Sequence, residues 1–254
     1  MQSRRILITG GASGIGLGIA QHLGSQGHHI IIADINPQAC EHACAKLAAL
    51  GITVEHVQLD VSNVTQIEAL PDKLGAPIDV LINNAGVQHV SKLEDFPAQK
   101  WQMLINIMLV GPALLSKAFL PGMRAQNFGR IINVGSLHSI VASPYKSAYV
   151  AAKHGLLGFA KTLALETGDC NVTVNTLCPA YVKTPLVEQQ IAAQAVENGI
   201  SEDDVINKIM LEPMPKKAFI EVDELAASAE FLISDAARNI TAQAIVIDGG
   251  WTAR

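Results

Sequence analysis

Charge is scarce in this chain. Asp, Glu, Lys and Arg make up 16% of 254 residues, and acidic groups outnumber basic ones by 23 to 18. So little charge beside 49% hydrophobic residues argues against disorder and for a sizeable core. A formal charge of −5 provides no general basic face, so nucleic acid is not expected as the main partner. Cysteine is scarce too, with thiols only at Cys40, Cys44, Cys170 and Cys178. Cys40 and Cys44 lie one helical turn apart around His42, but no second pair has matching spacing, so no metal site is expected. The most apolar stretch, Met103 to Leu120, is interrupted by Asn106, Pro112 and Lys117 and does not read as a membrane span. Arg4 and Arg5 run straight into Ile6-Leu7-Ile8, too short for a secretory signal. A cytoplasmic protein without membrane contact, and without disulfides, is the expectation. Linkers, low-complexity tracts and internal repeats are also lacking, which leaves one domain over residues 1–254.

Short, continuous β-branched runs alternate with helical patterns. Strands are expected at Arg5–Thr9, Ile30–Ala33, Thr53–Leu59, Val80–Ile82, Arg130–Val134, Val172–Leu177 and Ala244–Ile247. Helical spacing covers Ile15–Gln26, Pro37–Leu50, about Trp101 to Gln126, and Tyr145–Thr167. Unbroken apolar strands between helices imply a parallel sheet covered on both faces. Right-handed crossovers then give an α/β fold, a Rossmann-type doubly wound sheet of seven strands. Residues 186–219 fall outside the β/α rhythm and are helical in character. They read as a lid before the last strand, or as a plain surface excursion.

Thr9-Gly10-Gly11-Ala12-Ser13-Gly14-Ile15-Gly16 lies between the first strand and the first helix. Gly10 permits a tight turn, Gly14 lets backbone approach a pyrophosphate, and Gly16 allows close helix–strand packing. The helix start adds amide donors for phosphate. Asp34 ends the second strand, where a carboxylate accepts from ribose hydroxyls and repels a 2′-phosphate. That favours NAD over NADP; the plainer alternative is an aspartate capping a turn. Asp60 and Val61 close the third strand, within reach of an adenine amino group. Tyr149 and Lys153 are four residues apart on one helical face, and Ser136 ends the strand before them.

Thr9–Gly16, Asp60, Asn83–Gly86, Ser136, Tyr149, Lys153 and Pro179–Thr184 together resemble the short-chain dehydrogenase/reductase family along essentially the whole chain. Residues 83–89, 94–97, 146–155, 184–188 and 248–253 are most similar to its bacterial D-3-hydroxybutyrate dehydrogenase branch. The resemblance implies a dinucleotide held by Gly10, Ser13, Gly14, Ile15, Gly16, Asp34, Asp60, Val61, Asn83, Ala85, Gly86, Tyr149, Lys153, Pro179, Val182 and Thr184. It implies oxidation of (R)-3-hydroxybutyrate to acetoacetate, with Tyr149 taking the hydroxyl proton and Ser136 holding the substrate oxygen. Free tyrosine titrates near ~10, so the Lys153 ammonium and the nicotinamide charge are expected to favour the phenolate. Gln88, His138, Lys146 and Gln190 would grip the substrate carboxylate, with Tyr181 beside them. A homotetramer is also implied.

The pattern breaks in three places. The family's catalytic asparagine, 28 residues before the serine, falls on Met108. Asn106 is two positions off, roughly 200° around a helix. In the family that asparagine helps anchor a water of the proton relay, so the relay here is weakened, rerouted or unchanged. Ala180 replaces the usual glycine after Pro179, and Tyr181 replaces a tryptophan of the hydroxybutyrate branch. Three readings therefore stand: the hydroxybutyrate enzyme; a relative acting on another hydroxy acid, a polyol or a 3-oxoacyl substrate; or a non-catalytic dinucleotide-binding regulator.

Overall fold

A computed structural model describes residues 2–253; residues 1 and 254 lie outside the description. Seven strands form one parallel sheet in the order β3-β2-β1-β4-β5-β6-β7. They are β1 (Arg5–Thr9), β2 (His29–Asp34), β3 (Val54–Gln58), β4 (Val80–Asn83), β5 (Gly129–Val134), β6 (Val172–Pro179) and β7 (Ala244–Ile247). The chain reverses direction across the sheet between β1 and β4. A crevice opens beyond the carboxyl ends of the strands at such a switch point.

Successive residues of the inner strands feed two cores. Ile6, Ile8, Ile30, Ile32, Val80 and Ile82 pack on one face, under α1 (Gly14–Ser25), α2 (Pro37–Ala49) and α9 (Val222–Ile233). Leu7, Ile31, Leu81 and Ile131 pack on the other, under α3 (Val64–Leu74), α5 (Gly111–Ala125) and α6 (Ser147–Glu166). Strands buried on both faces explain why these segments show no apolar–polar alternation. Each buried Ile or Leu contributes roughly 1.5–3 kcal/mol, enough to fix the order of the central strands.

The sequence-based strand assignments agree with this sheet to within a few residues, but two helices lie outside the sequence-based pattern. α3 is capped by Asn63, whose side chain accepts from Gln66 N–H, yet carries Pro71 inside it. α9 begins with a reciprocal Glu221–Glu224 capping box. Gly18 admits α9 against α1, because a Cβ there would lie 2.2 Å from Val222 Cγ1.

The expected single helix from Trp101 to Gln126 is interrupted. α4 (Ala98–Ile105) passes through a π turn at Asn106–Val110 before α5 begins. Gly111 closes that turn onto the Asn106 carbonyl, and its missing Cβ would lie 2.5 Å from Val61 O. Helix 98–125 is long and apolar enough to cross a membrane, with a mean hydropathy of 1.8 over its most apolar 18 residues. Its Leu104, Met108, Leu115, Phe119 and Met123 are buried in the core.

Residues 186–219 hold most of α7 (Pro185–Asn198), the short α8 (Glu202–Val205) and a π turn, in agreement with the helical reading. Ile191, Val205 and Met210 form a small core of their own, against Tyr181 and Val187.

Candidate active site

Two cavities, of about 430 Å³ and 140 Å³, adjoin at the carboxyl edge of the sheet. Ile15, Gly135, Tyr149 and Thr184 line both, so a ligand lying along the larger one meets a ligand in the smaller at Tyr149.

The larger cavity begins at the β1–α1 loop. Gly10 has φ +60° and a Cβ there would lie 2.9 Å from Ala85 Cα. Gly14 has φ +51°, and a Cβ there would meet no described atom closer than Thr184 Cγ2 at 3.9 Å. Gly16 is the packing glycine, since a Cβ would meet the Gly10 carbonyl at 2.3 Å. Ser13, at the cap of α1, makes no side-chain bond to the helix, so the first amides face the cleft without an internal acceptor. This glycine-floored cradle at a helix N-terminus fits a pyrophosphate.

Asp34 lines the cleft, with Oδ2 3.4 Å from Ala12 N and Oδ1 3.2 Å from Asn36 N. Asp60 lines it too and accepts from Ser62 N at 2.9 Å. Val61, Ala85, Gly86, Thr184, Tyr149 and Lys153 complete the set expected on that side.

Asn83 is not on the wall. Its side chain is buried in the sheet and donates to Asn133 Oδ1 at 2.9 Å. The neighbouring Asn84 lines the cleft and ties the loop together, donating to Thr9 O at 2.9 Å and Gly10 O at 3.0 Å. Strand parity is the signal that separates the two, since consecutive residues face opposite sides of the sheet. Pro179 and Val182 line the smaller cavity instead of the larger.

All seven residues expected around the substrate line that smaller cavity: Gln88, Ser136, His138, Lys146, Tyr149, Tyr181 and Gln190. They come from five segments of the chain. Gln88 keeps a buried amide oxygen with no hydrogen-bond partner among the described residues. The Lys146 ammonium lies 5.9 Å from the centroid of the Tyr181 ring, whose other neighbour is Trp251 at 6.0 Å. Burial lowers the pKa of Lys146 from its ordinary value.

Ser136 and Tyr149 line the smaller cavity together. Lys153 Nζ lies 5.6 Å from the Tyr149 ring centroid and donates to Val134 O at 2.6 Å. Burial pulls the Lys153 ammonium down to about 8. The expected depression of Tyr149 by Lys153 does not arise from the protein alone. Burial raises the phenol above its ordinary value, and the polar Ser136 hydroxyl opposes this only in part. The physical reason is distance and competition, because the lysine is committed to a backbone carbonyl. His138 is pushed down to about 4 by burial, and then by the positive charge of Lys146 and by His154.

Met108 sits where the counted register puts it. It is 1% exposed, packed with Leu104, Ala148 and Ala152 against Tyr149. Asn106 accepts from Gln102 Nε2 at 2.9 Å and does not line the cleft, whereas Ile107 does. Where the family's asparagine would offer an amide, the helix carries a methionine in the apolar cluster beside Tyr149.

A family model described as short chain dehydrogenase matches residues 4–195. A D-beta-hydroxybutyrate dehydrogenase of Rhizobium meliloti is 43% identical, over 99% of this chain and 100% of that protein. One from Cupriavidus necator is 44% identical over the full length of both. Among solved structures, a point variant of actinorhodin polyketide ketoreductase with NADPH superposes with a TM-score of 0.94 at 30% identity, covering 99% of this chain and 98% of that one.

Proposed function

The chain belongs to the short-chain dehydrogenase family, whose members bind a nicotinamide dinucleotide, and from that premise we propose that it oxidises (R)-3-hydroxybutyrate to acetoacetate with NAD. The observation that carries this reading is the smaller cavity. It is sized for a four-carbon acid, holds one cation in Lys146, and opens beside Tyr149. Similarity to two proteins of that activity supports it.

NAD is favoured over NADP because the Asp34 carboxylate on the cavity wall would accept from ribose hydroxyls and repel a 2′-phosphate. When bound, the dinucleotide supplies the hydride acceptor, and its positive ring adds the charge that a phenolate needs. The chain's own groups do the rest. Gly10, Gly14 and the start of α1 cradle phosphate. Lys146, Gln88 and Gln190 hold the carboxylate, with His138 beside them, and Tyr181 closes the pocket around the methyl group. Ser136 fixes the hydroxyl, Tyr149 takes its proton, and Lys153 holds the nicotinamide ribose. Residues 186–219 act as a lid, because Val187 and Gln190 of α7 form part of the pocket wall. Homotetrameric assembly and a cytoplasmic location are proposed on family resemblance alone.

A spectrophotometric assay for NADH across short 3-hydroxy acids of both hands tests the reading. Turnover of the (R)-acid with NAD, well above the (S)-acid and above NADP, is the expected result. Tyr181 supports a second substrate within the same class, a 3-hydroxy acid with a longer chain. If the (R)-acid fails while a longer 3-hydroxy acid is turned over, the class stands and the substrate changes.

A further inference from the structure

Tyr149 has one apolar flank and one polar flank. On the apolar side lie Met108, Leu104, Ala148 and Ala152, each at most 1% exposed and none with a side-chain group able to pass a proton. On the polar side a string of groups leads outward. Ser136 lines the smaller cavity with Tyr149 and is the polar neighbour that favours its phenolate. Ser136 Oγ lies 3.4 Å from His138 Nδ1, and His138 Nε2 lies 2.8 Å from Ser143 Oγ. Ser143 is half-buried between the exposed Ala142 and Pro144, whereas His138 is 5% exposed.

The string is held in place by its own turn. Ser136 caps the short helix Leu137–Ser139, accepting from His138 N–H at 3.1 Å while its own N–H donates to Ser139 Oγ. The His138 ring stands edge-on to Tyr149, at 5.9 Å and 80°. Although His138 lines the substrate cavity, both its ring nitrogens already face serines.

We propose that Ser136, His138 and Ser143 form the proton exit of Tyr149, standing in for the amide that Met108 lacks. This rests on the dehydrogenase reading above. In the oxidation direction a bound oxidised dinucleotide would supply the hydride acceptor, and the hydroxyl proton passes to the Tyr149 phenolate. Tyr149 then gives that proton to Ser136 Oγ, as Ser136 gives its own to His138 Nδ1. His138 releases its Nε2 proton to Ser143, and Ser143 releases one to water. Tyr149 is again a phenolate, and one proton has reached solvent. The imidazole ends with its proton on Nδ1, and it must exchange back to the Nε2–H form before the next turnover. A neutral ring is required throughout, which agrees with a histidine whose burial disfavours charge.

Ser143→Ala and His138→Ala test the proposal, because Ser143 lines neither cavity. Steady-state kinetics are measured in H2O and D2O, with and without added imidazole, and NADH binding by fluorescence checks the fold. The expected result is a fall in kcat of about tenfold or more in both variants, the scale of a lost proton-transfer group. In Ser143→Ala the KM stays within about twofold, the solvent isotope effect on kcat rises in both variants, and imidazole restores part of the rate to His138→Ala. Wild-type kcat and solvent isotope effect in Ser143→Ala would overturn the proposal. So would a His138→Ala variant that raises KM alone. All values are ratios to wild type on whichever alcohol the wild-type enzyme oxidises, so an error in the substrate leaves this test intact.

Discussion

The phosphate end of the dinucleotide cleft is shaped by glycine backbone, and the substrate half by side chains. Gly10, Gly14 and the start of α1 leave little to chance, because a Cβ at Gly10 or Gly16 would collide with main chain. Gln88, His138, Lys146, Tyr181 and Gln190 instead converge from loops and helix starts far apart in sequence. A wall of main chain accepts one shape of ligand and tolerates almost no substitution. A wall of side chains can be retuned one residue at a time, and Tyr181 stands in that wall.

The largest expected effect lies where the two halves meet. Tyr149→Phe removes the proton acceptor from both directions of the reaction, and kcat should fall about a thousandfold. NADH binding, read by fluorescence, should barely change. Substantial residual turnover would mean that another group takes the proton.

On the dinucleotide side, Asp34→Ala removes the carboxylate that repels a 2′-phosphate. The ratio of kcat/KM for NAD over NADP should drop by about tenfold to a hundredfold, since a charged hydrogen-bonding partner is worth roughly 1.5–3 kcal/mol. An unchanged ratio would reduce Asp34 to a turn cap and shift cofactor choice elsewhere.

The substrate side carries a liability that the backbone wall lacks. His138 is buried as the neutral ring at about 4, while an unfolded histidine titrates near 6.5, and Lys146 and His154 add positive charge around it. The unfolded chain therefore binds the extra proton first. Native stability is complete above about pH 6.5 and falls as pH drops toward 4, by up to about 3 kcal/mol. Chemical denaturation of His138→Gln at pH 7 and pH 5 should show a smaller loss on acidification than wild type. Equal losses in the two proteins would place the acid sensitivity in other groups.

The same contrast explains what can be read from the sequence. The β1–α1 loop and Asp34 are legible because each acts through its own local backbone, where residue type and spacing carry the information. The strands are legible because Ile6-Leu7-Ile8 and Ile30-Ile31-Ile32 serve both faces of the sheet. The substrate residues are reached only by family resemblance, since no spacing links Gln88 to Gln190. α3 escapes the pattern because Pro71 hides its periodicity, although the Asn63–Gln66 cap marks its start. The π turn at Asn106–Val110 escapes it because counting at 3.6 residues per turn assumes an unbroken helix. The path from Ser136 to Ser143 is not legible at all, because it depends on where a turn aims one imidazole.

The most direct measurement compares (R)-3-hydroxybutyrate with its methyl ester, by kcat/KM, in wild type and in Lys146→Ala. A carboxylate seated on the Lys146 ammonium should favour the acid by about a hundredfold in wild type, as expected for a partly desolvated charge pair. That preference should collapse in the variant. Equal turnover of acid and ester by the wild-type enzyme would contradict the carboxylate pocket on which the functional reading stands.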